Sequence, residues 1–169
     1  MTRSLLALLA ASIAALTSPS LAAEFKSGDI SIENPWTRAT PKGAEVGAGY
    51  LTVHNNGAAP ERLTGGSADF ASVEVHEMKT ENGVMKMREM KDGLAIPAHG
   101  TVRLAPGGYH LMFTHLTKPL MKGEKVKATL NFEHAPPLPV EFTVEGMGAS
   151  GPAGAKGGMK SGGMGGMKM

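Results

Sequence analysis

Histidine and methionine recur together in two short stretches. One is Val75-His76-Glu77-Met78, continued by Val84-Met85-Lys86-Met87, and the other is Tyr109-His110-Leu111-Met112. Neutral imidazole and thioether are borderline-to-soft ligands, and that pairing favours Cu(I) over zinc, magnesium or calcium. The chain has no cysteine, so such a site offers no thiolate that an oxidising compartment would turn into a disulfide. These residue types therefore suggest copper handling outside the cytoplasm.

Whether the ligands can converge depends on strand geometry. Asn82-Gly83 is the strongest short-range hairpin signal in the chain, and a two-residue turn there pairs Glu81 with Val84 and Met78 with Met87. His76 then faces Glu89 and lies diagonally across from Met87, on the same face. A four-residue loop would set His76 directly opposite Met87. Both even-length loops keep His76, Met78, Met85 and Met87 on one face, whereas a three-residue bulged loop could disturb this. His110 and Met112, two apart, share a face on their own strand. Local geometry thus presents two ligand pairs, and only the fold can join them. The bland reading of any single methionine here is core packing, and that of a lone histidine is a hydrogen-bonded strand residue. Met78 and Met85 stay open as substitutes for Met87. His54, His99, His115 and His134 have no thioether at strand spacing and read as surface or turn residues.

The elements that must carry these residues read as short strands. From Asp29 to about Val144 the chain shows alternating stretches separated by turn signals, the signature of an all-β sandwich or barrel. Expected strands are Ile30–Ile32 (closed by Asn34-Pro35), Gly49–His54, Val73–Lys79, Val84–Met90, Leu94–Ile96, Thr101–Leu104, Tyr109–Thr114, Lys125–Phe132 and Val140–Val144. No sustained 3.6-residue apolar period with caps occurs in this region, so little helix is expected. The length suits one domain with a real core.

Both ends differ from this domain. Arg3, the apolar run Leu5–Leu16 and the small residues around Ser20-Leu21-Ala22 form a signal-peptide pattern over residues 1–22, with cleavage expected after Ala22 and Ala23 as the near alternative. The run is shorter than the roughly 20 apolar residues that span a bilayer, so no stable membrane insertion is expected and the exported chain should be periplasmic. The β-sandwich domain is expected to cover 23–145. Residues 146–169 are low-complexity glycine, methionine and lysine, expected to be disordered. Met147, Met159, Met164, Met167 and Met169 are either a solubilising end or a Cu(I)-collecting arm that raises the local ligand concentration.

The net charge of +2 with few aromatics gives no support for nucleic-acid binding. Blue-copper electron transfer needs a cysteine thiolate with two histidines, and this chain has no cysteine. No activated nucleophile or paired carboxylate set stands out, so no enzyme activity is expected.

Several longer stretches resemble the PCuAC-type periplasmic copper chaperones, which help metallate the CuA centre of cytochrome c oxidase. They are Asn34-Pro35-Trp36-Thr37-Arg38, Ala48-Gly49-Tyr50-Leu51-Thr52-Val53, Val75-His76-Glu77-Met78, Gly83-Val84-Met85-Lys86-Met87-Arg88, Ile96-Pro97-Ala98 and Leu104-Ala105-Pro106-Gly107-Gly108-Tyr109-His110-Leu111-Met112. The family motif is a His, ten residues, a Met, about twenty-one residues, then His-x-Met. It falls on His76, Met87, His110 and Met112. The gap from Met87 to His110 here is 22 residues, and the extra one is expected in the turn Glu89–Gly93.

The resemblance implies a cupredoxin-like Greek-key β-sandwich that binds Cu(I), with Cu(II) at the tail or surface histidines left open. It implies a carrier that hands copper to a cytochrome c oxidase subunit or another copper-transfer protein, and that works as a monomer. A copper sequestration or resistance protein without a dedicated acceptor is the alternative. A metal-free β-sandwich interaction domain is a third reading.

Overall fold

The computed structural model describes residues 24–153. The expected signal peptide and the expected disordered stretch from 154 onward lie outside the described residues. All regular structure among the described residues is β. The strands are β1 (Glu24–Ser27), β2 (Ile30–Arg38), β3 (Val46–Asn55), β4 (Glu61–Ala68), β5 (Ala71–Glu81), β6 (Val84–Glu89), β7 (Leu94–Ile96), β8 (Thr101–Leu104), β9 (Tyr109–Thr114), β10 (Lys125–Phe132) and β11 (Leu138–Glu145).

Seven strands close on themselves in the order β2, β3, β9, β5, β4, β10, β11 and back to β2. Every pairing is antiparallel except β11 on β2. Closure leaves the seven principal strands with no long unpaired edge. The other strands are appended to this ring: β1 to β2, β6 to β5, β7 to β4 and β8 to β3.

Alternation fills the interior. Ile30 and Ile32 on β2, Leu51 and Val53 on β3, and Val73 and Val75 on β5 turn inward, as do Leu111 and Phe113 on β9 and Val140, Phe142 and Val144 on β11. Phe113 sits at the centre, 5.6 Å from the Phe70 ring and 5.5 Å from the Phe142 ring, edge-on to the latter. Residues between the inward ones on β5 and β9 must then face outward, and these include every candidate ligand on the two strands.

Asn34 and Pro35 do not end the second strand. They form an irregularity within β2, where the register shifts between Glu33 and Trp36 and Asn34 adopts a φ of +51°. The strand β4 had no sequence signal because its middle is Gly65-Gly66. A side chain at Gly66 would place a Cβ 2.3 Å from the Thr129 carbonyl oxygen, so only glycine permits this approach to β10. The pairing also shifts beside it, between Asn131 and Phe132, as at a β-bulge. β1 likewise gave no signal.

Residues beyond Gly146 are also held. The Ala149 carbonyl accepts from Arg38 Nε (2.8 Å) and the Ala153 N–H donates to Glu145 Oε1 (2.9 Å). The segment is thus tied to the sandwich as far as the end of the described residues, seven positions after the start of the tail read from sequence.

Replacing Phe113 with alanine would empty the junction of three aromatic rings directly behind the β5–β9 pair. Such core truncations cost about 3–5 kcal/mol, so the Phe113→Ala chain should unfold at a markedly lower denaturant midpoint with an unchanged m-value.

Candidate metal centre

The turn Asn82-Gly83 has positive φ at both positions, +52° and +76°, the geometry of a two-residue type I′ hairpin. Its register is the one the dipeptide implies: Glu81 pairs with Val84, Met78 with Met87, and His76 with Glu89. His76 and Met87 therefore share the outer face. On its other side β5 pairs with β9, and there His76 is the direct partner of His110, with Glu74 opposite Met112. Two strands that the sequence could not connect are thus neighbours, and their histidines are aligned.

The two imidazoles form the middle of the site. Their ring centroids are 5.8 Å apart with planes inclined by 39°. Two rings bonded to one ion through metal–nitrogen bonds of about 2 Å would lie roughly 5–6 Å apart, so the pair is spaced to share an ion. Met87 approaches from the β6 side, diagonally beyond His76, and Met112 lies two residues along β9 from His110 in the other direction. By register, the two methionine positions thus lie toward opposite ends of the imidazole pair. Met78 is half-buried between His76 and the hairpin, opposite Met87. Met85 stands opposite Thr80, four positions along β5 from His76. That is about 13 Å at strand rise, farther along the strand than Met78 or Met87.

Exposure grades across the group. His110 is 5 % exposed and the His76 side chain 12 %, while Met87 is 49 % exposed. Burial pushes the His110 imidazole below its ordinary value of 6.5, opposed by its hydrogen bond to the Gly108 carbonyl and reinforced by nearby His76. That carbonyl can only accept, so His110 donates from Nδ1 (3.2 Å) and keeps Nε2 free as a lone-pair donor. On His76, Nε2 lies 2.9 Å from Glu74 Oε2, and Nδ1 is buried without a hydrogen-bond partner. A buried unpartnered ring nitrogen beside a second imidazole suits a ligand atom.

Glu74 was not singled out from the sequence. Its hydrogen bond with His76 first, and then one from Thr114 Oγ1 (3.1 Å), holds its carboxyl below the usual range against the opposing effect of burial. The signal was present in the i, i+2 spacing of Glu74 and His76, which puts both on one strand face. A second gathering of potential ligands, Glu61, Glu133 and His134, has a different role. The Glu61 carboxylate accepts from the N–H groups of Arg62, His134 and Ala135 and from His134 Nδ1, so it pins the loop after β10 to β4. Of the other histidines, His54 bonds Thr101 Oγ1 through Nδ1 (2.8 Å), and His99 and His115 occupy positive-φ turn positions.

Comparison with known proteins identifies the family. The family model described as "Putative lipoprotein LpqE-like" matches residues 30–144. The chain belongs to this LpqE-like, PCuAC-type family. It is 35 % identical over 117 residues to "Putative lipoprotein Lxx21020" of Leifsonia xyli subsp. xyli, covering 69 % of each chain. Its structure is similar to the copper-bound PCuAC domain from PmoF2, with 33 % identity, a TM-score of 0.61, and coverage of 73 % of this chain and 98 % of that one. It is also similar to the Cu(I) form of DR1885 from Deinococcus radiodurans, with 29 % identity, a TM-score of 0.53, and coverage of 78 % and 85 %. The all-β, cupredoxin-like sandwich implied by the sequence is therefore the fold of this PCuAC-type chain.

The depressed His110 imidazole sets a direction for stability. As pH falls below about 6.5 the unfolded chain takes up a proton at this ring that the folded chain does not, so the metal-free domain loses stability towards acid. Denaturation at pH 7.5 and 5.5 should show this loss, and His110→Asn should have a shallower pH dependence over the same interval.

Proposed function

We propose that this chain is an exported copper carrier that holds Cu(I) between His76 and His110, with Met87 and Met112 completing the site. The reading is carried by one observation, the direct pairing of His76 with His110 on β5 and β9, flanked on the same face by the two methionines. Two neutral imidazoles and two thioethers form a donor set that prefers Cu(I). Copper-bound forms of the similar PmoF2 and DR1885 structures support it. Among the methionines, Met78 stays a neighbour that could replace Met87, whereas Met85 belongs to the distal part of the hairpin.

The acceptor is a copper site in another protein, and the family resemblance favours the CuA site of cytochrome c oxidase. Graded exposure supports transfer rather than storage. An incoming ligand can displace the exposed Met87 thioether first, while the imidazoles keep hold of the ion until the exchange is complete. Export rests on the signal-peptide pattern at residues 1–22 and on the lipoprotein names of the relatives. Lipidation itself is not carried over, because none of the 169 residues is a cysteine whose thiol could bear an acyl chain.

The test is the double substitution Met87→Leu with Met112→Leu, which preserves side-chain volume. Cu(I) affinity, measured by competition with a chromophoric chelator, should fall by orders of magnitude while the fold is unchanged. Unaltered affinity would sink the assignment. A separate truncation ending at Ala153, which leaves the contacts of Ala149 and Ala153 in place, addresses the methionine-rich end. It should lower Cu(I) stoichiometry or slow loading at limiting copper. Identical stoichiometry, loading and delivery would make residues 154–169 a solubilising end only.

A further inference from the structure

Glu74 is held from two strands. Its Oε2 accepts from His76 Nε2 at 2.9 Å on its own strand, and its Oε1 accepts from Thr114 Oγ1 at 3.1 Å on β9. An ionised carboxylate can only accept, so the contact requires a proton on His76 Nε2. The other ring nitrogen, Nδ1, is buried and has no partner. A doubly protonated ring would bury an N–H with no acceptor, whereas the neutral Nε2–H tautomer leaves only a lone pair there. In His110 the arrangement is reversed, with Nδ1 committed to the Gly108 carbonyl. Glu89 stands opposite His76 on β6 and is exposed, and no hydrogen bond joins it to the ring.

We propose that Glu74 is the positioning residue of the copper site: clamped by Thr114, it fixes His76 in the Nε2–H tautomer, so that copper is taken by Nδ1 of His76 and by Nε2 of His110. This rests on the reading that copper binds between these histidines. A carboxylate behind a ligating histidine orients the ring and raises its basicity. It serves a second purpose here. All four proposed ligands are neutral, so the loaded site carries the ion's own charge, and the Glu74 carboxylate balances it from one ring away. Thr114 in turn fixes the carboxylate, so the chain of positioning runs from β9 through Glu74 to the ligand on β5.

The experiment uses the full chain with ¹⁵N-labelled histidine. Long-range proton–nitrogen spectra of the metal-free protein should show His76 protonated on Nε2 and His110 on Nδ1. Glu74→Ala should abolish the single His76 tautomer and weaken Cu(I) binding 10- to 100-fold, the usual effect of losing such a support. Glu74→Gln, whose amide oxygen can still accept from Nε2–H, should keep the tautomer and most of the affinity. Glu89→Gln should change neither. A His76 ring protonated on Nδ1 in the unsubstituted protein would overturn the proposal. So would a Glu74→Ala protein with unchanged tautomer and affinity, or equal losses in Glu74→Gln and Glu89→Gln, which would reduce the effect to charge alone. If Glu74→Ala fails to fold, the tautomer in the unsubstituted and Glu74→Gln proteins decides. His76→Ala separates the two ideas: unchanged Cu(I) affinity there removes the binding site itself, whatever Glu74 does.

Discussion

The register of β5 against β9 ties the core to the candidate metal centre. Val75 pairs with Leu111 and His76 with His110, and the side-chain period of two sends the first pair inward and the second outward. Slipping either strand by one residue would bring imidazoles into the apolar interior and leave valine and leucine in solvent. The same burial that stabilises the sandwich therefore enforces alignment of the two histidines. Phe113, two residues beyond Leu111, adds to this by packing against Phe70 and Phe142 from other parts of the ring. A ligand pair placed this way needs no loop to close over it, and its spacing is as firm as the core behind it.

The hairpin formed with β6 is built differently. All six residues of β6 are exposed, and among the described residues the strand pairs only with β5. Two-stranded extensions of this kind are only marginally stable by themselves. Its ion pairs, Arg88 with Glu77 and Lys86 with Glu81, are surface contacts that contribute about 0–1 kcal/mol each. Lys86 and Arg88 also discourage another strand from pairing along the free edge. Met87 thus stands on the least supported strand of the site, while His110 stands on one of the most supported.

The parts of this design that were legible in the sequence were those written in local spacing. Asn82-Gly83 gave the hairpin, because type I′ turns demand residues that tolerate positive φ, and its two-residue register is one of the alternatives the sequence left open. The alternation in Tyr109–Thr114 gave the shared face of His110 and Met112. The adjacency of β5 and β9 was not legible, since it arises from ring closure through strands far apart in the chain. β4 was hidden because the glycines that let it approach β10 also erase the strand pattern. The extra residue between Met87 and His110 was expected in Glu89–Gly93, and a turn does lie there, with the Gly93 N–H donating to the Met90 carbonyl (2.8 Å) and Gly93 at a φ of +74°. Glu74 escaped notice because a carboxylate two residues from a histidine is common on exposed strands. Its meaning appears only when Thr114 is seen to hold its other oxygen.

The contrast between supported imidazoles and an unsupported thioether bears on how the proposed carrier would bind copper and still release it. A site made wholly of core-backed ligands would bind tightly but exchange slowly, because every ligand would have to leave a packed position. One made wholly of exposed thioethers would exchange readily but hold the ion weakly. In this fold the imidazoles are desolvated and prealigned, so little ordering cost remains when an ion arrives. The exposed methionine can be displaced without disturbing the interior. Thioethers suit that role in an oxidising compartment, since they supply soft donors without forming disulfides. Cysteine in the same position would bring tighter binding, but also a thiolate open to oxidation. The absence of cysteine from the chain fits the proposed division of labour, in which the two histidines would hold the ion and Met87 would open the way out.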